Sequence, residues 1–596
     1  MRYLEDRSSV PPTLMTMVLF LLGACAAGPA GAGLRDGEED PRLPILESMA
    51  SELERSRERL AIGDHEPPYF LAYALRDTER FDIQARYGAL FKDDVDRSRL
   101  THVEVRVGSY ELDNTAAARQ GLFGRSSQAT YISRKDAPID DDLEALRSSF
   151  WLTTDEKYKE ALSDYLRMRG EDVYKPEEER ADSFSRVEPV QHVQDPVVFE
   201  LDQGAWREQV RRASRRFRSS PKIFDNLVRM AARKETRYLT TSEGARLITE
   251  DLLFSLHVSA IARAEDGMLL THGRSFYGRS QEDLPSNEKL DAEVDALIEE
   301  ILELREAPVM DPFTGPALLS PEATGVLFHE AVGHRLEGER QDDDDSGRTF
   351  KGQIGRRIVP SFISVFDDPT IEDWDGVPLN GHYVYDDEGV PARRVDLIEA
   401  GVLKSYLLSR TPVKGIDSGS TGHGRAQGNR DPMARMGNFV VTHAGDEQTL
   451  VDDMESLEKL LIEEARRQGN EHALVIEDIT GGDTNVSIWG YQAFRGVPTR
   501  VYRIDVETGE KELVRGVEMV GTPLTVVNRI SAVGRDKAVF NGFCGAESGF
   551  VPVSTIAPAA LITEIELQRQ RRDVERPPVL PPPWMGEEEA EGVDEQ

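Results

Sequence analysis

Two histidines and a glutamate stand close together in the stretch FHEAVGH, residues 328–334. Imidazole nitrogens are common zinc ligands, and a neighbouring carboxylate can act as a general base. The usual metallopeptidase motif, HExxH, spaces its histidines four residues apart, about 40° around a regular helix. His329 and His334 are one residue further apart, about 140° around a regular helix, so an unbroken helix could not present both to one ion. If these histidines and Glu330 form a metal site, we expect the helix to bulge or end within residues 331–334.

A glycine and several potential ligands accompany this motif. Gly333 directly precedes His334 and would let the backbone leave helical geometry at little cost. A catalytic zinc site usually has three protein ligands, so a third must come from elsewhere in the chain. The candidates are Glu337, Glu339, Asp342–Asp345, His382, His423, His443 and Cys544. The acidic run is more typical of a solvated loop, whereas a thiolate is a soft ligand that suits zinc well. The glycines around Cys544, in FNGFCGAESG, predict an exposed turn.

The motif lies on a predicted helix with a well-defined start. Ser320 is a capping residue, Pro321 suits the first helical position, and Glu322 adds an acid near the helix N-terminus. The rest of the C-terminal half reads mostly as strand and loop. Two predicted hairpins, in RRVDLIEAGVLKSYLLS and TRVYRIDVETGEKELVRGVEMVG, turn at Ala-Gly and Thr-Gly.

The N-terminal half alternates between helical and strand patterns. Helical spacing is present in PILESMASELERSRERLAI, over a long stretch near 140–235, and at 287–305, with strand-like segments between them. We predict an α+β protein of two domains. An N-terminal α/β domain with mostly antiparallel strands spans 45–305, and a β-rich C-terminal domain carrying the HExxxH helix spans 306–570.

The N-terminal segment predicts an exported protein. An apolar run within residues 1–26 is typical of a signal peptide, and Leu22-Gly23-Ala24-Cys25 resembles a lipoprotein box, which makes Cys25 a candidate lipidation site and membrane anchor. We expect a flexible linker at 27–44 and a disordered Pro-rich acidic tail at 571–596. The expected location is the bacterial cell envelope or periplasm, with the cytoplasm as the alternative. A net charge of −36 argues against nucleic-acid binding.

Several ordered motifs of the C-terminal half resemble those of the TldD/PmbA family of metallopeptidases. They are ATGVLFHEAVGHRLEGE, RRVDLIEAGVLKSYLLSR, GHGRAQGNRDPMARMGN, GVEMVGTPLTVVNRISAVGRD and CGAESGFVPVSTIAPAALI. The resemblance implies one zinc per chain, held by His329, His334 and Cys544, with Glu330 as the catalytic acid/base. Arg425, Arg435 and Asn438 are candidates for lining a substrate cleft, with an ordinary structural contact as the alternative for each.

The activity that the resemblance implies is hydrolysis of peptide bonds in small or unfolded peptides, with a zinc-bound water activated by Glu330. It also implies a dimer, either with a second copy or with a related family subunit. Two other hypotheses remain at this point. The chain could be a non-catalytic zinc-binding assembly partner of a related peptidase subunit, or the thiol of Cys544 could serve a redox or metal-storage role.

Overall fold

The structure is a computed structural model that describes most of the chain outside its two ends. The described residues are 40–115, 136–171, 181–341, 349–416, 419–484, 494–521, 523–570, 580 and 582–584. The predicted signal peptide with Cys25, residues 27–39 of the predicted linker and the Asp342–Asp345 run lie outside these ranges. Export and lipidation therefore stay predictions.

The N-terminal part combines four α-helices with one sheet in the described part of the chain. Its strands are β1 (Phe70–Arg86), β2 (Ala89–Arg106), β3 (Gln191–Val193), β4 (Ile223–Thr241), β5 (Arg246–Arg263) and β6 (Leu269–Gly278). Its helices are α1 (Leu43–Arg59), α2 (Leu143–Glu171), α3 (Gln203–Arg215) and α4 (Asn287–Glu306). Short 3₁₀ helices occupy Arg216–Ser219 and Gln281–Asp283.

The sheet runs in the order β2-β1-β4-β5-β3, with β6 also paired to β5. All of these pairings are antiparallel except β3 with β5. One face is covered by helices, because alternate residues of β1 pack into two apolar clusters: Tyr73 with residues of α1 and α2, and Phe81 with residues of α3 and α4. The predicted antiparallel α/β character of this domain is confirmed.

The long helical stretch predicted near 140–235 is wrong in its middle and in its last part. Residues 143–171 and 203–215 are helical, but residues 181–202 contain no helix and include β3. Residues 223–241 form β4, a strand held between β1 and β5. Its burial alternates along the strand, as a sheet covered by helices on one face requires. The charged residues that alternate with apolar ones in this segment follow the period of a strand, and pairing on both sides stabilises it.

The opposite face of the N-terminal sheet carries charged residues that contact the C-terminal domain. Arg76 on β1 donates to the carbonyl of Ala426 (2.9 Å) and pairs with Asp387 (2.9 Å). Arg237 on β4 also pairs with Asp387 (3.2 Å). The domains therefore meet through buried ion pairs, and the chain passes from one sheet to the other between α4 and residue 313.

The C-terminal part is rich in strands. In the described residues these are β7 (Phe313–Leu319), β8 (Ile363–Asp367), β9 (Asp373–Trp374), β10 (Val377–Pro378), β11 (Val395–Glu399), β12 (Val402–Leu403), β13 (Gly424–Arg425), β14 (Met433–Ala434), β15 (Asn438–His443), β16 (Leu450–Val451), β17 (His472–Thr484), β18 (Phe494–Asp505), β19 (Lys511–Val514), β20 (Val517–Gly521), β21 (Ile530–Ala546) and β22 (Gly549–Arg569). The α-helices are α5 (Pro321–Ala331), α6 (Met454–Gln468) and α7 (Pro523–Val527), and 3₁₀ helices occupy Gly333–Leu336, Gly338–Gln341 and Glu447–Thr449.

A mixed 12-stranded sheet organises this domain. Its strands β7, β17, β18, β20 and β22 pair in a closed circuit. Successive residues of β7 face different helices: Ala317 and Leu319 pack with α5, and Leu318 packs with α6. The sheet thus separates α5, inside the main core, from α6 on the other side.

Both hairpins were predicted from the sequence, whereas the α-helices α6 and α7 were not. The first hairpin joins β11 to β12 through Ala400 and Gly401, both with positive φ (46° and 81°), as a tight two-residue turn requires. The second joins β18 to β19 and includes Gly509 at φ 76°. Helix α6 was not predicted, although Asp453 caps its start and Gly469 ends it in a left-handed conformation.

Two further observations concern the predicted tail and membrane contact. Within the tail, Trp584 lies against the ring of Tyr87, with ring centroids 4.8 Å apart.

None of the helices in the described ranges is long and apolar enough to cross a membrane.

Candidate metal centre

Helix α5 begins and ends as its sequence predicts. The hydroxyl of Ser320 accepts a hydrogen bond from the amide of Ala323 (3.1 Å), and Pro321 occupies the first turn. The helix ends at Ala331, Val332 has φ −118° and ψ −51°, and a 3₁₀ helix follows over Gly333–Leu336. The expected interruption between the two histidines is therefore confirmed.

An arginine stabilises this helix end. The side chain of Arg335 donates through Nη1 to the carbonyls of Glu330 (2.7 Å) and Ala331 (3.1 Å). Carbonyls in the last turn of a helix lack partners within the helix, and a buried cation there satisfies them. The break therefore leaves no penalty of unpaired carbonyls at these two residues.

Gly333 is needed for a different reason than expected. Its φ does not lie in the left-handed region, so backbone freedom is not what the position demands. A Cβ added at Gly333 would lie 2.2 Å from Sδ of Met436, a fully buried side chain. The glycine lets the 3₁₀ turn approach Met436 closely, and this turn carries His334.

We expect Gly333→Ala to lower the free energy of unfolding by about 1–3 kcal/mol, because buried Met436 cannot move into solvent to make room. Urea unfolding measures this. The matched control is Gly419→Ala, where no heavy atom lies within 4 Å of the added Cβ and the expected change is within about 0.5 kcal/mol. Equal effects of the two substitutions would contradict the role given to the Met436 contact.

The interrupted helix brings both histidines to one sulfur atom. Nε2 of His329 lies 3.2 Å and Nε2 of His334 lies 3.4 Å from Sγ of Cys544. The two rings are nearly perpendicular, at 89°, with centroids 5.0 Å apart. One ligand atom from each residue lies within 4.8 Å of the others. The predicted exposed turn at Cys544 is wrong: the residue lies on β21, opposite Val551 of β22, and is buried.

The distances and the chemistry of this cluster fit zinc. In a tetrahedral site with typical Zn–N and Zn–S bonds, a nitrogen and a sulfur ligand lie about 3.5 Å apart. Both N–S distances here are within a few tenths of an ångström of that value. Two imidazoles and one thiolate leave a fourth position for water or substrate, the arrangement of catalytic rather than structural zinc sites.

Electrostatics favour a thiolate at this point. Burial alone would raise the pKa of the Cys544 thiol, but the adjacent imidazoles of His334 and His329 lower it well below its usual value. Burial would lower the pKa of both histidines, yet the sulfur beside them raises it above the usual value. A thiolate at Cys544 is thus stabilised by positive charge on the two imidazoles. A bound metal cation would take the place of the imidazole protons beside the thiolate.

Two carboxylates flank the cluster in different ways. Oε2 of Glu330 lies 3.9 Å from Nε2 of His334, at the edge of the cluster. Oε1 of Glu337 lies 3.1 Å from Nδ1 on the other side of the same ring. Burial would raise the pKa of Glu337, but the guanidinium of Arg340 and the imidazole of His334 lower it overall. Glu330 thus lies on the side of His334 that faces the cluster, and Glu337 lies on the opposite side of the same ring.

Several known metalloproteases are similar to this chain in sequence. Residues 313–569 match the model of the PmbA/TldA metallopeptidase C-terminal domain. This part of the chain is similar to the TldD/PmbA family. A metalloprotease of Methanocaldococcus jannaschii is 30% identical over 53% of this chain and 64% of that protein. A zinc metalloprotease TldD homologue of Saccharolobus solfataricus is 28% identical over 42% of this chain and 51% of that protein. The chain thus spans less than two thirds of either relative.

Structural similarity extends to the N-terminal domain. The crystal structure of TldE from Thermococcus kodakarensis superposes with a TM-score of 0.58, covering 87% of this chain and all of the other at 15% identity. At this identity the likeness concerns the fold. The two-domain α+β architecture is confirmed, and the family model agrees with the resemblance of the C-terminal sequence motifs.

Four of the other candidate ligands have partners away from the cluster. In the described ranges they make these contacts: Glu339 with the amide of Ala434 (3.1 Å), His382 with the carbonyl of Pro369 (2.9 Å), His423 with Asp367 (3.1 Å) and His443 with Thr449 (2.8 Å).

Two of the three predicted substrate-binding residues are fully buried. Arg435 donates through Nη2 to the carbonyl of Cys544 (2.6 Å), so it supports the strand that carries this residue. Asn438 donates through Nδ2 to the carbonyls of Asp368 (3.1 Å) and Ile371 (2.8 Å). Both placements are those of structural contacts, the alternative considered for them.

Arg425 is placed differently, because it lines a cleft between the two domains. The cleft has an empty volume of about 480 Å³, and Phe550 also lines it. Arg425 donates through Nη1 to the carbonyl of Met436 (2.7 Å), and its guanidinium lies 4.7 Å from the ring centroid of Tyr383. Contact of Arg425 with a substrate stays a prediction.

Sequence reasoning missed Arg335 and Arg340. The available signal for Arg340 was its spacing, three residues after Glu337, which suits an ion pair within a helical turn. Arg335 gave no comparable signal, because its role depends on a helix end that shows only in the structure.

Proposed function

We propose that this chain is a zinc-dependent metallopeptidase that hydrolyses peptide bonds of small or unfolded peptides. The observation that carries the proposal is the convergence of His329, His334 and Cys544 from two distant elements, with Glu330 beside them. Two imidazoles and a thiolate would hold the zinc. When bound, zinc supplies Lewis-acid polarisation of the scissile carbonyl.

The chain's own acid/base group in this proposal is Glu330. Its carboxylate lies next to a ligand in sequence and 3.9 Å from Nε2 of the other histidine, so a water entering the cluster comes within its reach. Oε2 would accept a proton from the attacking water and later deliver it to the leaving amine nitrogen. Burial of Glu330 limits competition from bulk water during these transfers.

Limited access supports small or unfolded peptides as substrates. The four residues of the site expose only 2–9% of their surface. A peptide bond must approach these buried groups closely, which an extended chain can do more readily than the packed main chain of a folded protein.

Strand addition offers a way to hold such a peptide. Strand β21, which carries Cys544, pairs with β22 on one edge. On the other edge it pairs with β16 only at Val533 and Gly534, as far as the described residues show. An extended peptide adding to the remaining part of this edge would gain main-chain hydrogen bonds beside the metal ligands.

The direct test is hydrolysis of an unfolded, fluorogenic peptide library by the full chain. We expect cleavage that a chelator abolishes and that stoichiometric zinc restores. Cleavage that persists after complete zinc removal would contradict the proposal, as would absence of any cleavage by the zinc-loaded chain. The assembly with a second copy or a related subunit stays a prediction, which the mass in solution would test.

A further inference from the structure

Glu337 is a fully buried carboxylate with three charged or polar partners. Its oxygens lie 3.1 Å from Nδ1 of His334, 2.6 Å from Nε of Arg340 and 3.4 Å from Nε of Arg435. An ionised carboxylate only accepts hydrogen bonds, so the hydrogen on the neutral His334 ring belongs on Nδ1. Nε2, the atom near Cys544, is then left with its lone pair for a metal.

The two arginines extend from Glu337 to the β21–β22 hairpin. Arg435 donates to the carbonyl of Cys544 (2.6 Å) and to the carbonyl of Gly549 (2.9 Å). Arg340 makes two hydrogen bonds to the carboxylate of Glu547 (3.0 and 2.9 Å). The carboxylate of Glu337 therefore contacts His334 directly. It is also linked through Arg435 to the main chain of the hairpin and through Arg340 to the side chain of Glu547.

We propose that Glu337 is the positioning residue of the metal centre, which holds His334 and the Cys544 hairpin in their ligating arrangement before the metal binds. This inference rests on the proposed zinc site. It differs from a merely structural role, because an ion cluster that only stabilises the fold would change folding free energy without changing zinc affinity of the folded protein. Hydrogen-bond partners of metal ligands commonly contribute 10- to 100-fold to affinity, as an order of magnitude.

The matched pair for a test is Glu337→Gln and Glu339→Gln. Both replace a glutamate carboxyl by an amide at positions two residues apart, but Glu339 contacts the amide of Ala434 and the hydroxyl of Ser409 instead of a ligand. Zinc affinity is measured by competition with a chromophoric chelator, and the stability of each metal-free variant by urea unfolding. Cobalt substitution adds a spectroscopic readout of the thiolate and imidazole ligands.

We expect Glu337→Gln to weaken zinc binding by about 10- to 100-fold and to shift the cobalt spectrum. Glu339→Gln should keep both at wild-type values. Loss of stability in Glu337→Gln with unchanged zinc affinity and cobalt spectrum would overturn the inference, and so would equal losses of affinity in the two variants. If the wild-type chain itself binds no zinc, the proposed function fails instead.

A second variant keeps the test decisive if Glu337→Gln does not fold. Arg340→Gln leaves the contact between Glu337 and His334 in place and removes the link to Glu547, an exposed residue. We expect weaker zinc binding than in the wild type, with a smaller loss than in Glu337→Gln. Wild-type affinity in a folded Arg340→Gln chain would overturn the link to the Cys544 hairpin.

Discussion

Glu330→Gln is expected to lower the rate of peptide hydrolysis by about 10²- to 10⁴-fold, the usual contribution of a positioned general acid/base. The amide keeps the size of the side chain and cannot take up the proton of the attacking water. Zinc content should remain near one per chain, because the ligand atoms come from His329, His334 and Cys544. Steady-state cleavage of an unfolded peptide, measured beside metal content, checks both parts.

The control for this prediction is Glu322→Gln in the first turn of the same helix. It removes the same charge from α5 at the end away from the cluster, and Glu322 is partly exposed. We expect its turnover number to stay within about twofold of the wild type, as for a surface substitution away from the site. Equal activity of Glu330→Gln and the wild type at full zinc occupancy would remove Glu330 from the mechanism.

Cys544→Ala is expected to reduce bound zinc from about one per chain to less than about a tenth under the same purification. Two imidazoles alone form a weaker site, and no other candidate ligand in the described part of the chain lies with them in the cluster. Peptidase activity should fall with the metal. Elemental analysis of the purified wild type and of purified Cys544→Ala measures the zinc bound per chain.

Val551→Ala is the matched truncation, since Val551 lies directly opposite Cys544 and is equally buried. It creates a cavity in the same hairpin and removes no ligand atom. We expect some loss of stability and full zinc content. Parallel loss of zinc in both variants would show that damage to the hairpin, rather than loss of the thiolate, releases the metal.

The start of α5 and its interruption could be predicted from local sequence. Ser320 and Pro321 define a helix start by their chemistry alone, and the five-residue spacing of the histidines demands a break if both are to bind one ion. The cause assigned to Gly333 was wrong because its packing partner, Met436, lies on a distant segment. A short-range pattern cannot show a contact of that kind.

The third ligand, Cys544, could not be predicted from residue spacing. Cys544 is 210 residues from His334, and its approach depends on the pairing of β21 with β22. Chemical preference favoured a thiolate, but family resemblance identified the residue. Arg435 was a candidate for lining a substrate cleft, but its guanidinium is buried and supports the hairpin.

Strand β4 and helix α6 show a limit of reading elements from one sequence. Residues 223–235 are rich in charged side chains, which permit helical and strand patterns alike until pairing with β1 and β5 decides. Helix α6 had clear boundary signals in Asp453 and Gly469, so its omission was avoidable.

The central claim is that His329, His334 and Cys544 hold one zinc ion. Anomalous diffraction from crystals of the full chain, recorded on both sides of the zinc absorption edge, tests it most directly. The account predicts a single strong peak per chain bounded by Nε2 of His329, Nε2 of His334 and Sγ of Cys544. A zinc-loaded crystal with no peak there, or with its peak at another group of residues, would contradict the account.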